Sequence, residues 1–224
     1  MTTALFDTWP EQYDRWFDTP TGQLVKIYES ALLLEFLAPQ PGERILDAGC
    51  GTGLFTGDVL DRGAMVIGVD LSVPMLDRAR KRAAGPRFTA LCADMGALPF
   101  ADNSFDRVFS MTAIEFVADA AKAIAELNRV VRRGGPVVVT TLNSRSPWAT
   151  RRKRKAEQGH SLFQEICFRS PEEMRSLVPV PCQVKTAIHF QKDDPVDLIP
   201  ATETRGGRLS PDAGAFLAVR WQKQ

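Results

Sequence analysis

Short apolar runs alternate with amphipathic stretches through the first two thirds of the chain. Five runs, Arg44–Ala48, Met65–Val69, Arg87–Cys92, Phe105–Ser110 and Pro136–Leu142, have the β-rich character and short length of buried strands. Between them, Leu54–Arg62, Ser72–Ala84 and Ala118–Arg133 are long enough for helices. Such alternation predicts βαβ units and a mostly parallel sheet covered on both faces. In the third helix Ala120, Ile124, Leu127 and Val131 share one stripe, and Gly134-Gly135 supplies a left-handed stop. In the second, Ser72 caps the exposed amides while Leu76, Ala79 and Ala83 form the buried face. Ahead of the sheet, Leu24, Ile27, Tyr28, Ala31 and Leu32 predict a further amphipathic helix that ends before Pro39.

The last third reads differently. Gln183–Phe190 and Ala215–Trp221 have strand character, but the segment 191–214 shows no helical pattern. Three prolines and Arg205-Gly206-Gly207-Arg208 predict a loop or mobile flap there. Two strands joined without a helix pair antiparallel, which suits a sheet edge.

Composition narrows the class. At 224 residues, 44% hydrophobic and 25% charged, the chain suits one globular domain. A net charge of +1 gives no general attraction to nucleic acid or to an anionic membrane. The four cysteines, at 50, 92, 167 and 182, show no paired metal or redox spacing, and only two histidines accompany them. No metal site is expected. The longest apolar stretch, Ala31 to Ala38, is broken by Glu35 and is far short of the ~20 residues that cross a bilayer. The N-terminal residues lack the basic start and apolar core of a signal peptide, so a cytoplasmic location is expected.

The chemistry concentrates in Ile45-Leu46-Asp47-Ala48-Gly49-Cys50-Gly51-Thr52-Gly53, where a strand runs into three glycines and then a helix. Such a turn exposes bare backbone to a ligand, although a tight strand–helix turn without a ligand uses the same residues. Acids at the ends of the following strands sharpen the ligand reading. Asp70 lies 21 residues beyond Gly49, where a doubly wound fold places a ribose-binding carboxylate. Asp94 ends the third strand, placed to accept from the exocyclic amine of adenine. A dinucleotide fingerprint needs a small residue at position 54, and Leu54 stands there.

On these residues the chain resembles the class I S-adenosylmethionine-dependent methyltransferases, in particular the type 11 branch with its small-molecule and quinone-pathway enzymes. The resemblance runs from about Leu37 to Leu142, through ILDAGCGTG, VIGVDLSVPML, ALCADMGALPFADNSFDRVFS and LNRVVRRGGPVVV, and GAFLAVRW resembles the family's last strand. It implies a Rossmann-like α/β fold with a seven-stranded, mostly parallel sheet, helices on both faces and the last strand antiparallel at the edge. It also implies roles. Gly49 and Gly51 receive the methionine part of S-adenosylmethionine, and Asp47 helps hold its ammonium. Asp70 takes the ribose hydroxyls, and Leu71 and Met75 flank the adenine. Asp94 bonds the adenine amine, with the Met95 backbone close to the ring. Ser110 faces the methionine moiety, and Tyr13, in an aromatic N-terminal cluster, reaches its carboxylate end. The demethylated product is S-adenosylhomocysteine.

Methyl transfer from a sulfonium asks mainly for in-line placement of the acceptor, with a base where a proton must leave. Glu115, just beyond the fourth strand, is the candidate base; a surface or helix-start acid is its structural alternative. Relatives often carry His near here, whereas Phe116 and Val117 follow in this chain. The basic run Arg151-Arg152-Lys153-Arg154-Lys155 either attracts an acidic or phosphorylated small-molecule acceptor, an anionic membrane or RNA, or forms a solvated helix face, and it lacks the interleaved aromatics of a nucleic-acid site. The expected layout of the single domain is a helical cap over 1–43, a cofactor core over 44–142, an acceptor lid over 143–182 and terminal strands over 183–224. A non-catalytic S-adenosylmethionine-binding protein and, third, a nucleotide-dependent oxidoreductase are the competing classes.

Overall fold

The computed structural model describes residues 5–224, so the first four residues of the expected N-terminal cap lie outside the described residues. Two helices, α1 (Pro10–Asp18) and α2 (Pro20–Leu37), precede the sheet. Then β1 (Arg44–Ala48), α3 (Thr56–Leu60), β2 (Met65–Asp70), α4 (Val73–Arg82) and β3 (Phe88–Cys92) follow in βαβ order. Next come β4 (Arg107–Ser110), α5 (Ala120–Val130) and β5 (Pro136–Leu142). Three helices, α6 (Pro147–Glu157), α7 (Ser161–Gln164) and α8 (Pro171–Leu177), separate β5 from β6 (Gln183–Ala187). The last connection carries α9 (Ile199–Leu209) and ends in β7 (Phe216–Gln222).

These strands form one seven-stranded sheet in the order β3-β2-β1-β4-β5-β7-β6. All pairings are parallel except those of β7, which runs antiparallel to both β5 and β6. The antiparallel last strand thus lies one place in from the end of the sheet, and β6 takes the outermost position. Side-chain burial explains the order. Phe216 to Val219 are buried on both faces, as an interior strand requires, whereas β6 alternates exposed and half-covered positions.

Two apolar cores flank the sheet, and strands feed them alternately. Ile45, Phe109, Val138, Phe216 and Ala218 pack under α2 and α3. Leu46, Val108, Val137, Val139, Leu217 and Val219 pack under α5 and α8. Strands up to β3 are added on one side of β1 and β4 starts the other side, and at this switch between parallel β1 and β4 the carboxyl ends of the strands open a crevice.

Two expectations are corrected. The buried stripe of α2 runs through Val25, Glu29, Leu32, Leu33, Phe36 and Leu37, while Ile27 and Ala31 face solvent. A glutamate on the buried face broke the apolar pattern and turned the predicted stripe aside. Second, 191–214 is not a loop: a 3-10 turn at Val196–Leu198 leads into α9. Pro200 sits in the first turn, where no backbone donor is needed. Gly206 serves close packing, since a Cβ there would stand 2.3 Å from His189 Cβ. Glu203 fastens the helix by accepting from the Ile188 N–H at 2.9 Å and pairing with the buried His189 ring at 3.1 Å. Among the described residues no helix is long and apolar enough to cross a membrane.

Candidate functional site

The crevice between β1 and β4 holds a cavity of about 210 Å³ built around the glycine loop. Leaving β1, the chain turns with positive φ at Gly49, Gly51 and Gly53. Amides of Gly49 and Cys50 donate to the Val69 carbonyl at 2.7 and 2.9 Å, and Gly51 N–H donates to Asp70 Oδ2 at 2.9 Å. The glycines differ in purpose. A Cβ on Gly49 would lie 2.4 Å from Ala113 Cβ, so that position serves packing. A Cβ on Gly51 would meet no protein atom within 4 Å; the position opens bare backbone to the cavity.

Asp47, at the end of β1, is buried. Its Oδ2 accepts from Thr56 Oγ1 at 2.6 Å, but Oδ1 has no hydrogen-bond partner. Burial pushes this carboxyl up to about 7; the Thr56 bond opposes the shift and the nearby Asp70 carboxylate adds to it. A buried carboxylate oxygen with a free lone pair is the complement of an ammonium group. Asp70 is raised too, burial outweighing the backbone N–H groups of Ser72 and Gly51 that favour its charged form. Asp94 holds the Gly96 amide at 2.8 Å.

Nine of the ten residues proposed for the cofactor, Tyr13, Asp47, Gly49, Gly51, Asp70, Leu71, Met75, Asp94 and Met95, line this cavity. The tenth, Ser110, does not reach its wall; it is fully buried in β4, and its Oγ has no partner. Glu115 also stands elsewhere, in a second chamber.

That chamber, of about 150 Å³, adjoins the first. Phe6, Tyr13, Thr112 and Phe116 belong to both walls. Thr112 has φ +42°, costly for a β-branched residue, and its N–H is held by Thr140 Oγ1 at 2.9 Å. Aromatic rings of Trp16, Phe17, Trp148 and Phe163 cover much of the rest. Three charged residues enter this apolar space: Glu29 from α2, Glu115 from the 3-10 turn Ile114–Phe116, and Arg152 from α6. Glu115 Oε2 accepts from Thr141 Oγ1 at 3.2 Å, while Oε1 is buried without a partner. Burial raises Glu115 to about 7 and Glu29 to about 8, with Arg152 opposing both. Tyr13 is raised as well, first by burial and then by the charges of Glu29 and Glu115. Arg152 lies over the Trp148 ring, 5.2 Å from its centroid, and its Nη1 is buried without a partner.

Sequence reasoning passed over Thr112 and Glu29, and it took Arg152 only as one of five basic residues that either attract an anionic acceptor or form a solvated face. A lone acid inside an otherwise apolar helix was the available signal for Glu29. For Arg152 it was the i, i+4 spacing from Trp148, which stacks the guanidinium on the ring. No sequence signal marks the backbone of Thr112.

The sheet order, the glycine loop and the acids at strand ends define a Rossmann-like methyltransferase fold, and comparison with known proteins agrees. Residues 46–139 match the family model described as a methyltransferase domain. The malonyl-[acyl-carrier protein] O-methyltransferase of Pseudescherichia vulneris is 44% identical over 115 residues, covering 51% of this chain and 45% of that one. The demethylmenaquinone methyltransferase of Beutenbergia cavernae is 35% identical over 146 residues, 65% of this chain and 59% of that one. The chain thus spans about half the length of the curated relatives it matches. A SAM-dependent methyltransferase structure from Thermotoga maritima superposes with a TM-score of 0.73 at 25% identity, covering 98% of each chain.

Proposed function

We propose that this protein transfers the methyl group of S-adenosylmethionine to a small-molecule acceptor. The observation that carries the reading is the pair of cavities sharing the wall of Tyr13 and Thr112, one lined by backbone and carboxylates, the other by aromatic rings and a candidate base. The donor set of the first cavity fits the cofactor: the unpartnered Asp47 Oδ1 suits its ammonium, open Gly51 its amino-acid end, Asp70 a ribose diol and Asp94 an exocyclic amine. Leu71 and Met75 offer apolar contact to a base, with Met95 beside them. When bound, S-adenosylmethionine supplies an activated methyl carbon whose leaving group is a neutral thioether.

The chain's own contribution is placement and proton management. Held by Asp47, Gly51, Asp70 and Asp94, the cofactor would present its methyl group toward the second chamber, where Glu115 Oε1 would take the proton that the acceptor loses. A carboxyl raised to about 7 suits that task at neutral pH. Rings around the second chamber exclude water from the reacting atoms. Residues 143–182 act as the acceptor lid; Trp148, Arg152, Phe163 and Ile166 on the chamber wall support this. The relatives carry names with two different acceptors, a malonyl-acyl carrier protein and a demethylmenaquinone, so acceptor identity has to be sought in this chamber.

The test is calorimetric titration with S-adenosylhomocysteine, followed by incubation with methyl-labelled S-adenosylmethionine and fractionated small molecules. Binding with transfer of label supports the proposal. Binding without transfer to any fraction favours a non-catalytic binding protein, and no binding rejects the cofactor.

A further inference from the structure

We propose, building on the cofactor reading above, that the second chamber takes an acceptor of about one ring's size. Its carboxylate seats on Arg152, and its O–H or N–H is directed at Glu115.

The argument starts from two buried atoms with opposite needs. Arg152 Nη1 is a donor without an acceptor, and Glu115 Oε1 is an acceptor without a donor. Both residues line the same chamber. Unsatisfied buried polar atoms are rare because each costs about 1–3 kcal/mol, more when charged. A ligand bearing an anionic end and a hydrogen-bond donor satisfies both atoms at once. A neutral hydrocarbon satisfies neither.

Charge accounting favours an anion over a cation. Glu29 and Glu115 face Arg152 from α2 and the 3-10 turn, and Tyr13 approaches from α1. Arg169 acts on Glu115, and Lys192 lies within the field of Arg152. A buried carboxyl sheds its charge by taking a proton; a guanidinium has no such escape. With Glu29 raised to about 8 and Glu115 to about 7, the first is mostly protonated and the second half ionised near pH 7, so Arg152 is only partly balanced by them. A carboxylate neutralises it through the planar, two-pronged geometry that arginine matches.

Shape sets the body between the two ends. A volume of about 150 Å³ is that of a cavity able to hold a benzene ring. Trp148 and Phe163 give the chamber aromatic walls against which such a ring packs.

The test uses 4-hydroxybenzoate, its uncharged amide 4-hydroxybenzamide, and benzoate as calorimetric probes, with and without saturating S-adenosylhomocysteine. Isomeric hydroxybenzoates and short aliphatic hydroxy acids complete the set. The wild-type protein should bind at least one acid tenfold or more tighter than its amide. Arg152→Met should abolish that preference and Arg152→Lys should keep part of it, both retaining wild-type affinity for S-adenosylhomocysteine. Equal binding of acid and amide, undiminished acid binding by Arg152→Met, or no binding of any acid would overturn the inference. A protein that prefers the acids but ignores S-adenosylhomocysteine keeps this inference and rejects the cofactor. Cofactor-product binding without acid preference does the reverse.

Discussion

The hydroxyl of Thr52, in the glycine loop, donates a 2.7 Å hydrogen bond to Oδ1 of Asp14 in α1. The other oxygen of Asp14 pairs with Arg78 at 3.1 Å and Arg82 at 3.0 Å, both from α4. Arg82 also donates to the Thr52 carbonyl at 2.6 Å. One carboxylate therefore ties the helix that carries Tyr13 to the loop and to α4. Removing it leaves Thr52 and two guanidinium groups short of an acceptor. Asp14→Ala should cost about 1–3 kcal/mol in urea unfolding. Hydrogen exchange should show α1 losing protection while the sheet keeps it; equal protection in both proteins would show that α1 is held by apolar contacts alone.

Gly51→Val separates a structural turn from a ligand cradle. The new side chain meets no protein atom, so its cost to folding is the positive φ, about 1–2 kcal/mol. It projects into the cavity, however, and S-adenosylhomocysteine binding should disappear. Normal binding by a folded Gly51→Val protein would remove the loop from the cofactor site.

Asp70 has two duties, holding the Gly51 and Ser72 amides and presenting a carboxylate to the cavity. Asp70→Ala should weaken S-adenosylhomocysteine by tenfold or more, which corresponds to about 1.4 kcal/mol or above. An unchanged calorimetric constant would sink the ribose assignment.

Burial of Glu29 has a pH signature. Its folded pKa is pushed up to about 8, against about 4.3 in an unfolded chain, so the native state holds the extra proton between those values. Stability from this group must fall as pH rises through that window. Glu29→Gln removes the dependence. The variant should match the wild type near pH 4.5 and exceed it by about 2–4 kcal/mol at pH 8.5, by denaturant unfolding at each pH. A difference that does not grow with pH would show that Glu29 ionises freely in the fold. Asp47 and Glu115, both raised to about 7, contribute slopes of the same sign that the variant retains.

The basic run should divide functionally. Arg151 pairs with exposed Asp193, and Lys153 lies over the Phe168 ring at 5.6 Å; only Arg152 enters the chamber. Neutralising Arg151 and Lys153 together should change hydroxybenzoate affinity by less than threefold. Wild-type affinity should vary little between 0.05 and 0.5 M salt, because buried charges are weakly screened. A steep salt dependence, or a large loss in the double variant, would move recognition to the rim of the chamber.

Much of the cofactor half is local chemistry, and local chemistry can be read from a sequence. β1 and β5 occupy the residues their apolar runs predict, and Ser72 caps α4 as expected. The chamber half depends on long-range packing. Gly206 and Pro200 resemble helix breakers until His189 is placed against the one and the first turn of α9 under the other. Glu29 was lost inside an apolar helix because its partners come from α6 and the turn after β4. Five consecutive basic residues read as one feature, yet successive helical positions turn by about 100°, which sends Arg152 inward and its neighbours out.

The place of β7 between β5 and β6 carries a consequence for the order in which the molecule is made. β6 leaves the ribosome before β7, but it has no partner in the sheet until β7 has docked on β5. The strands that flank the glycine loop need nothing from that late segment. Ile188, Ala215 and Phe216, which wall the second chamber, arrive only with the final pairing. The crevice around the glycine loop is lined only by residues up to Val117, whereas the second chamber, proposed above to take the acceptor, closes only once β7 has paired.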